Sequence, residues 1–437
     1  MDKIDAEKRV ESESNSQLTP DVPTSTPAKH GIPDGGLEAW SVVLGSSLAF
    51  FATFGVVNSY GVFQDYYQKT LLSASSSSTI SIVGALQLFL LYGTGPLVGS
   101  IYDAFGTNIL IPLGSLITVF SLMMLSLVRE NQPYQIFLAQ GLLFGSGIAM
   151  IFNPGLAVVG HWFRRRRAYA IGLVAAGSSL GGVCFPIMLQ RLIPKVGFGW
   201  AVRIAAFIVM GCLLVACFTI RTRLPLRGHI SLGSAVDLGG FRDIRYVLAS
   251  IGAFLIMYAV FIPLFYIEVY ADFQGVSPNL SKYLLPIINA FGIPSRAVPG
   301  LLADRFGSIN VLVPSTLISS ILCLGLWLPA RNANEIIAFA ALYGLFSGTF
   351  VSLLPAYIAT ITPMEKYGAR LGSIYMIVAV ASLAGTPTAG GILRVSDRSH
   401  FNGLIIFTGV LLAVGGCVMA LTGFIDRRMR ARAASLL

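Results

Sequence analysis

Long, nearly uninterrupted apolar runs recur from about residue 38 to residue 425, separated by short stretches rich in Gly, Pro and charge. A run of about 20 such residues crosses the ~30 Å hydrocarbon core as a helix, and the bilayer admits only structures that satisfy their own backbone polar groups. Barrel strands would alternate in polarity over ~10 residues, and these runs do not. The chain is therefore expected to be an all-α integral membrane protein. Twelve transmembrane helices are predicted, at 38–63, 80–102, 109–128, 134–158, 168–191, 200–220, 246–270, 281–302, 310–329, 335–360, 368–391 and 402–425. Composition agrees: 55% of residues are hydrophobic and 11% charged, mean hydropathy is +0.75, and a soluble domain would carry about 25% charge.

One short pattern closes an apolar run twice, 201 positions apart: Gly99-Ser-Ile-Tyr-Asp103-Ala-Phe-Gly106 and Gly300-Leu-Leu-Ala-Asp304-Arg-Phe-Gly307. The same offset carries Gly147 onto Gly348 and Pro154 onto Pro355. Two six-helix pseudo-repeats follow, at 34–220 and 245–426, joined by a basic central loop at 221–244 and flanked by a polar tail at 1–33 and a basic tail at 427–437. The first tail has the Ser, Thr, Pro and Glu composition of a disordered segment. Glycines in the repeated motif suit tight turns, and its carboxylates can pair across a gate; Asp103, Gly106, Asp304, Arg305 and Gly307 are the gating candidates.

Most of the 30 Lys and Arg residues fall on one side of this topology, which places both termini in the cytoplasm and the protein, by default, at the cell membrane. The net charge of +10 is spread over those loops, so a lipid surface rather than nucleic acid is its partner. Arg164 to Arg167 read first as a topology-setting loop. The five cysteines lie in predicted spans without paired spacing, and the four histidines make no ligand pattern. No cluster of carboxylates, histidines or nucleophile with base sits at membrane depth. Neither an enzyme nor a cofactor is expected, and the protein should act as a monomer.

The duplicated six-helix unit with Gly-x-x-x-Asp-x-x-Gly helix ends resembles the major facilitator superfamily. That resemblance implies a substrate site near the midplane, exposed to each side in turn as the halves rock. Asp34-Gly35-Gly36-Leu37-Glu38-Ala39-Trp40 and Trp162-Phe163-Arg164-Arg165-Arg166-Arg167 before the small-residue run at 172–182 resemble the monocarboxylate transporter family, in particular its fungal branch. Trp40 stands where an aromatic anchors at the interface, and Gly172, Ala176, Gly177 and Gly181 offer a stripe on which another helix packs closely. Gly177-Ser178 lacks the proline usual in drug–proton antiporters of the superfamily.

Arg296 is the charge predicted at membrane depth, where it costs at least ~2.5 kcal/mol on insertion scales and so should face a wet cavity or a partner. Asn289, Gly292 and Arg296 share one helix face, and Pro286, Pro294 and Pro299 kink that helix. A guanidinium holds a carboxylate bidentately and keeps its proton. The alternative is that Arg296 snorkels to the gate near Asp304. The monocarboxylate resemblance implies a substrate-binding arginine here, together with an Asp and a Lys for proton coupling; those positions are Gly292 and Asn58. Glu268 and Asp272 are rim carboxylates or substitutes for the missing relay. Asn58, Tyr60, Asn153, Tyr258 and Tyr375 are further candidates to line the path or to tie helices together. Asn279-Leu280-Ser281 is a glycosylation sequon on the outer side.

The main expectation is a secondary active or facilitative transporter of a small, monocarboxylate-like organic anion, working by alternating access, with a co-transported proton left open. The alternative is export of a specialised metabolite or facilitation of a vitamin-like compound such as riboflavin. A third reading is a transporter-fold nutrient receptor, for which neither the tail nor the central loop is long.

Overall fold

The computed structural model describes residues 34–75, 77–223, 237–363, 366–393 and 397–434. The tail 1–33, most of the connection 221–244 and the last residues of the tail 427–437 lie outside them.

Helix α1 spans Leu37–Leu71. It runs further than its apolar run because Asp65 and Lys69, paired at 2.7 Å, lie beyond the hydrocarbon and support one another an i,i+4 turn apart. Helix α2 is Ser77–Gly93 followed by Gly95–Phe105, bent by 40° where Pro96 cannot donate to the ladder. Helices α3 (Thr107–Leu125) and α4 (Pro133–Trp162) follow. Next comes one 53-residue stretch, Arg167–Thr219, broken at Gly197, whose φ of 78° lies in the left-handed region that glycine adopts freely. It holds α5 (167–196) and α6 (198–219). The second half comprises α7 (Ile244–Phe273), α8 (Leu284–Phe306), α9 (Ser308–Trp327), α10 (Ala333–Thr360), α11 (Tyr367–Ile392) and α12 (Arg398–Ala434).

The twelve spans make two six-helix pseudo-repeats. Among the described residues nine helices are long and apolar enough to cross a membrane, one of them holding both α5 and α6, and the bent α2 adds a tenth. The span left over is α8, whose run is diluted by Arg296, Asp304 and Arg305. Leu116 and Phe120 of α3, Phe207 and Phe218 of α6, Ile321 of α9 and Phe424 of α12 point outward, so these four helices present their apolar faces to lipid. The interior is built from α1, α2, α4, α5 and their counterparts α7, α8, α10 and α11.

Both ends of the described chain, and the loops α2–α3, α4–α5, α8–α9 and α10–α11, lie at one end of the bundle, here called the terminal end. The small-residue stripe on α5 serves two neighbours. A Cβ on Gly177 or Gly181 would strike the α1 carbonyls of Ser47 and Phe51, and one on Gly172 would strike the Arg296 carbonyl of α8. Absent side chains thus let three helices approach backbone to backbone.

Candidate functional site

At mid-membrane, α1, α5 and α8 meet around a small polar cluster. The buried Asn289 donates from Nδ2 to the Leu285 carbonyl at 3.1 Å. Its Oδ1 faces Asn58 Nδ2 at 3.5 Å, and that amide also reaches the Ser178 carbonyl at 3.4 Å. Gly182 makes room for both, since a Cβ there would sit 2.5 Å from Asn289 Oδ1 and 2.7 Å from Asn58 Nδ2. Two helical turns along α8 toward the terminal end, Arg296 donates from Nη1 to Ser179 Oγ and, at 3.4 Å, to the Ala175 carbonyl. Its Nε is buried without a partner, although a guanidinium hydrogen in an apolar setting is costly to leave unpaired.

Gly292 shapes this arrangement. A Cβ there would lie 2.6 Å from Ser179 Oγ, so the hydroxyl that meets Arg296 fills the space a side chain at 292 would need. Ser179 was not singled out from sequence. The signal available was its place on the α5 face of Gly172, Ala175 and Ala176, spaced i, i+3, i+4 and i+7.

The remaining polar candidates separate. Asn153 on α4 is buried with neither amide atom partnered. Tyr375 on α11 packs against Tyr92 and Phe152 at centroid distances of 5.7 and 5.2 Å. Tyr258 on α7 shares a 2.7 Å hydrogen bond with Thr388 on α11 and lines a different recess with Leu88 and Phe265. Tyr60 donates to the Ile80 carbonyl at 2.5 Å, tying α1 to α2 rather than facing the cluster.

At the terminal end the two halves meet along two seams. In one, Gly95 and Gly99 of α2 lie against Gly372 and Gly368 of α11; in the other, Gly172 and Ala168 of α5 lie against Arg296 and Gly300 of α8. A Cβ on Gly99 would come within 2.8 Å of the Gly368 carbonyl, and one on Gly300 within 2.6 Å of the Ala168 carbonyl. Asp304 closes the second seam by accepting from the Ala168 and Tyr169 N–H groups at 2.9 and 3.0 Å, a carboxylate on a helix N-terminus. Both halves therefore grip each other at this end through backbone, around a membrane-depth cation left short of a partner.

The sequence profile of the Major Facilitator Superfamily matches residues 40–332 and 297–435. The chain belongs to the major facilitator superfamily. It is 41% identical over 392 residues to MFS transporter asaE of Aspergillus flavus, covering 89% of this chain and 87% of that protein. It is 36% identical over 412 residues to the Fujikurins efflux protein of Gibberella fujikuroi, covering 93% and 88%. Among solved structures, the human organic anion transporter MFSD10 matches with a TM-score of 0.71 at 15% identity, over 88% of this chain and all of that one, a likeness of fold. The relatives are fungal facilitator-superfamily transporters, several named for efflux of a metabolite, and are not specifically monocarboxylate carriers. The narrower resemblance thus gives way to the superfamily, and the protein is a multi-pass membrane transporter rather than an enzyme.

In this facilitator the repeated motifs differ from their expected reading at one point. Gly106 and Gly307 have φ of 69° and 91°, which the tight turns into α3 and α9 require. Asp103 lies against the start of α11, where a Cβ on Gly368 would come 2.6 Å from its Oδ1. Arg305 is exposed and makes no ion pair among the described residues. The gate carboxylate finds backbone N–H groups instead, because these sit on the facing helix end while residue 305 points away.

The Asp34-Gly35-Gly36 segment also acquires a role. Asp34 accepts from the Arg164 and Arg165 N–H groups at 2.5 and 2.7 Å, and Trp40 packs edge-on to Phe163 at 5.0 Å. Two motifs distant in sequence are thus one structure, a strap holding the α4–α5 loop. At the far end, Glu268 lies in electrostatic reach of Asp272 and of Asp65 on α1. Asn279 sits in the turn Pro278–Ser281, and the buried Ser281 donates to the Glu268 carbonyl.

Proposed function

We propose that this facilitator exports a small specialised metabolite bearing an anionic group, by alternating access of one central site between the two halves. The observation that carries the reading is the Arg296 guanidinium, placed at the seam between the halves with a buried, unpartnered Nε. A cation so placed is stabilised by an anion that brings its own acceptors. Movement of α8 against α5 would change what faces it. Efflux is favoured over monocarboxylate uptake because the Fujikurins efflux protein is similar along 93% of this chain and because position 292, which the monocarboxylate resemblance gives to a proton-carrying Asp, is a glycine packed on Ser179.

In this reading the seams of α2 with α11 and α5 with α8 form the gate, with Asp103 and Asp304 as its helix-end clasps and Gly106 and Gly307 as its turns. Asn58 and Asn289 orient the substrate beside Arg296, and Asn153 offers a further polar group. Both termini face the cytoplasm, from the distribution of Lys and Arg, and the cell membrane is the default address. The protein works as a monomer, and coupling to a proton would need Glu268 rather than the family's usual groups.

The test is comparative metabolite profiling of cells and medium with the gene present, deleted, and replaced by an Arg296→Gln variant. A compound whose extracellular share falls in both altered strains is the expected result. Unchanged profiles, combined with inward flux of a labelled monocarboxylate in vesicles, would overturn export in favour of uptake.

A further inference from the structure

Toward the interior from Arg296, three rings from three helices stand together: Tyr92 of α2, Phe152 of α4 and Tyr375 of α11. Their centroids are 5.5, 5.7 and 5.2 Å apart, with interplanar angles of 87°, 39° and 53°. No two lie flat on one another, so they offer a mixture of edges and faces. With Phe350 of α10 and Met257 of α7 they line a narrow recess between the halves.

This recess is more than apolar packing. Tyr92 and Tyr375 are 2% and 4% exposed and bring their phenol rings to the wall of this recess. Tyr92 is also in electrostatic reach of Arg296. Gly348, two residues before Phe350, leaves the Arg296 Nε open toward α10, since a Cβ there would sit 3.4 Å from it. A buried guanidinium nitrogen without a partner therefore lies near a slot walled by rings, two of which carry hydroxyls.

We propose that this slot binds planar, conjugated acids. The ring system lies among Tyr92, Phe152 and Tyr375, the anionic group meets Arg296, and oxygen substituents accept from the two tyrosine hydroxyls. Rings with a negative face and positive edge select a flat π-system over a flexible chain of equal apolar size. The guanidinium, which keeps its charge, selects the anion. This inference rests on the reading of Arg296 as the substrate anchor and names the class of compound the anchor serves.

The experiment measures binding of 2-naphthoate and of decanoate, similar in carbon number and equal in charge, to the purified full-length protein in lipid nanodiscs. Naphthoate should bind about tenfold more tightly or better. Tyr375→Leu should bring the two affinities within about twofold of one another, Tyr375→Phe should keep the preference because it keeps the ring, and Arg296→Gln should weaken both ligands. Equal affinities for the unaltered protein, no binding of either acid, or a preference untouched by both Tyr375→Leu and Phe152→Leu would overturn the proposal. Retention of the naphthoate preference without any metabolite export would instead overturn the efflux reading and leave the slot standing.

Discussion

The two seams at the terminal end are made from duplicated copies of one helix end, and they differ at one turn. In the first copy Gly95 lies against the backbone of Gly372; the corresponding residue of the second copy, 201 positions on, is Arg296. Around that position the copies agree. Gly99 and Gly300 each sit under a carbonyl of the facing helix, and Asp103 and Asp304 each lie at the start of that helix, α11 and α5 respectively. Duplication supplied two equivalent clasps, while a glycine in one copy and an arginine in the other leave a single cation at this level. A gate can be symmetric because it has only to close. A site that orients one substrate gains from asymmetry, because one anchor defines one pose.

The comparison breaks most severely if either clasp is filled. Gly99→Val and Gly300→Val should each abolish closure at the terminal end, reducing transport by about a hundredfold or more, since each places carbon against a carbonyl that cannot retreat. Accessibility of a cysteine introduced beside Arg296 to a reagent applied at the terminal end reports the state directly, and unchanged labelling in both variants would contradict the backbone seal.

Arg296→Gln comes next, with an expected loss of affinity for an anionic substrate of roughly 10- to 100-fold, the range for a hydrogen bond to a charged group. Gly95→Ala at the equivalent position should affect closure but leave binding affinity in the open state alone. Arg296→Lys with unchanged affinity would remove the bidentate anchor from the account.

Asp304→Asn should be milder. It loses a charged cap on α5, a contribution of about 0.5–2 kcal/mol, and should shift the gate toward opening by roughly 2- to 30-fold. Asp103→Asn provides the matched test of the other clasp, and gating shifts of similar size from the two would sharpen the case for equivalent seams.

The smallest effect concerns pH. Where the central connection rejoins the second half, Asp237 accepts from Arg370 Nε at 2.9 Å, with Lys366 nearby at 3.9 Å. Burial raises its carboxyl, but the Arg370 hydrogen bond and charge, Lys366 and the Gly239 N–H outweigh burial and hold it below the usual carboxylate range. Since the folded value lies below the unfolded one, the contribution is complete above the ordinary value of about 4 and fades as pH falls through the depressed one. Thermal stability of the second half should therefore be insensitive to this group from pH 8 to about pH 5 and decline below pH 4. Asp237→Asn should flatten that decline, with melting in detergent as the readout.

The spans and the twofold repeat were legible because apolar length and a repeated Gly and Asp spacing are local properties of the chain. So was Arg296, since a charge within an apolar run declares itself. Its partners were not. Nothing in the chain order marks Ser179, Tyr92 or Phe152, and Tyr60 resembled a path residue until its hydroxyl was found on the Ile80 carbonyl. Arg305 was a gating candidate beside Asp304, but it is exposed, while Asp304 takes the Ala168 and Tyr169 N–H groups.

By itself the sequence determined that this chain enters a membrane, crosses it as helices in two related halves, and carries one charge at depth, because each follows from the polarity of consecutive residues. Only the tertiary structure decided which helices touch without side chains between them, which polar atoms go unpaired, and which rings gather beside the cation. Those outcomes depend on groups far apart in sequence approaching within a few ångströms, and chain order does not carry that distance.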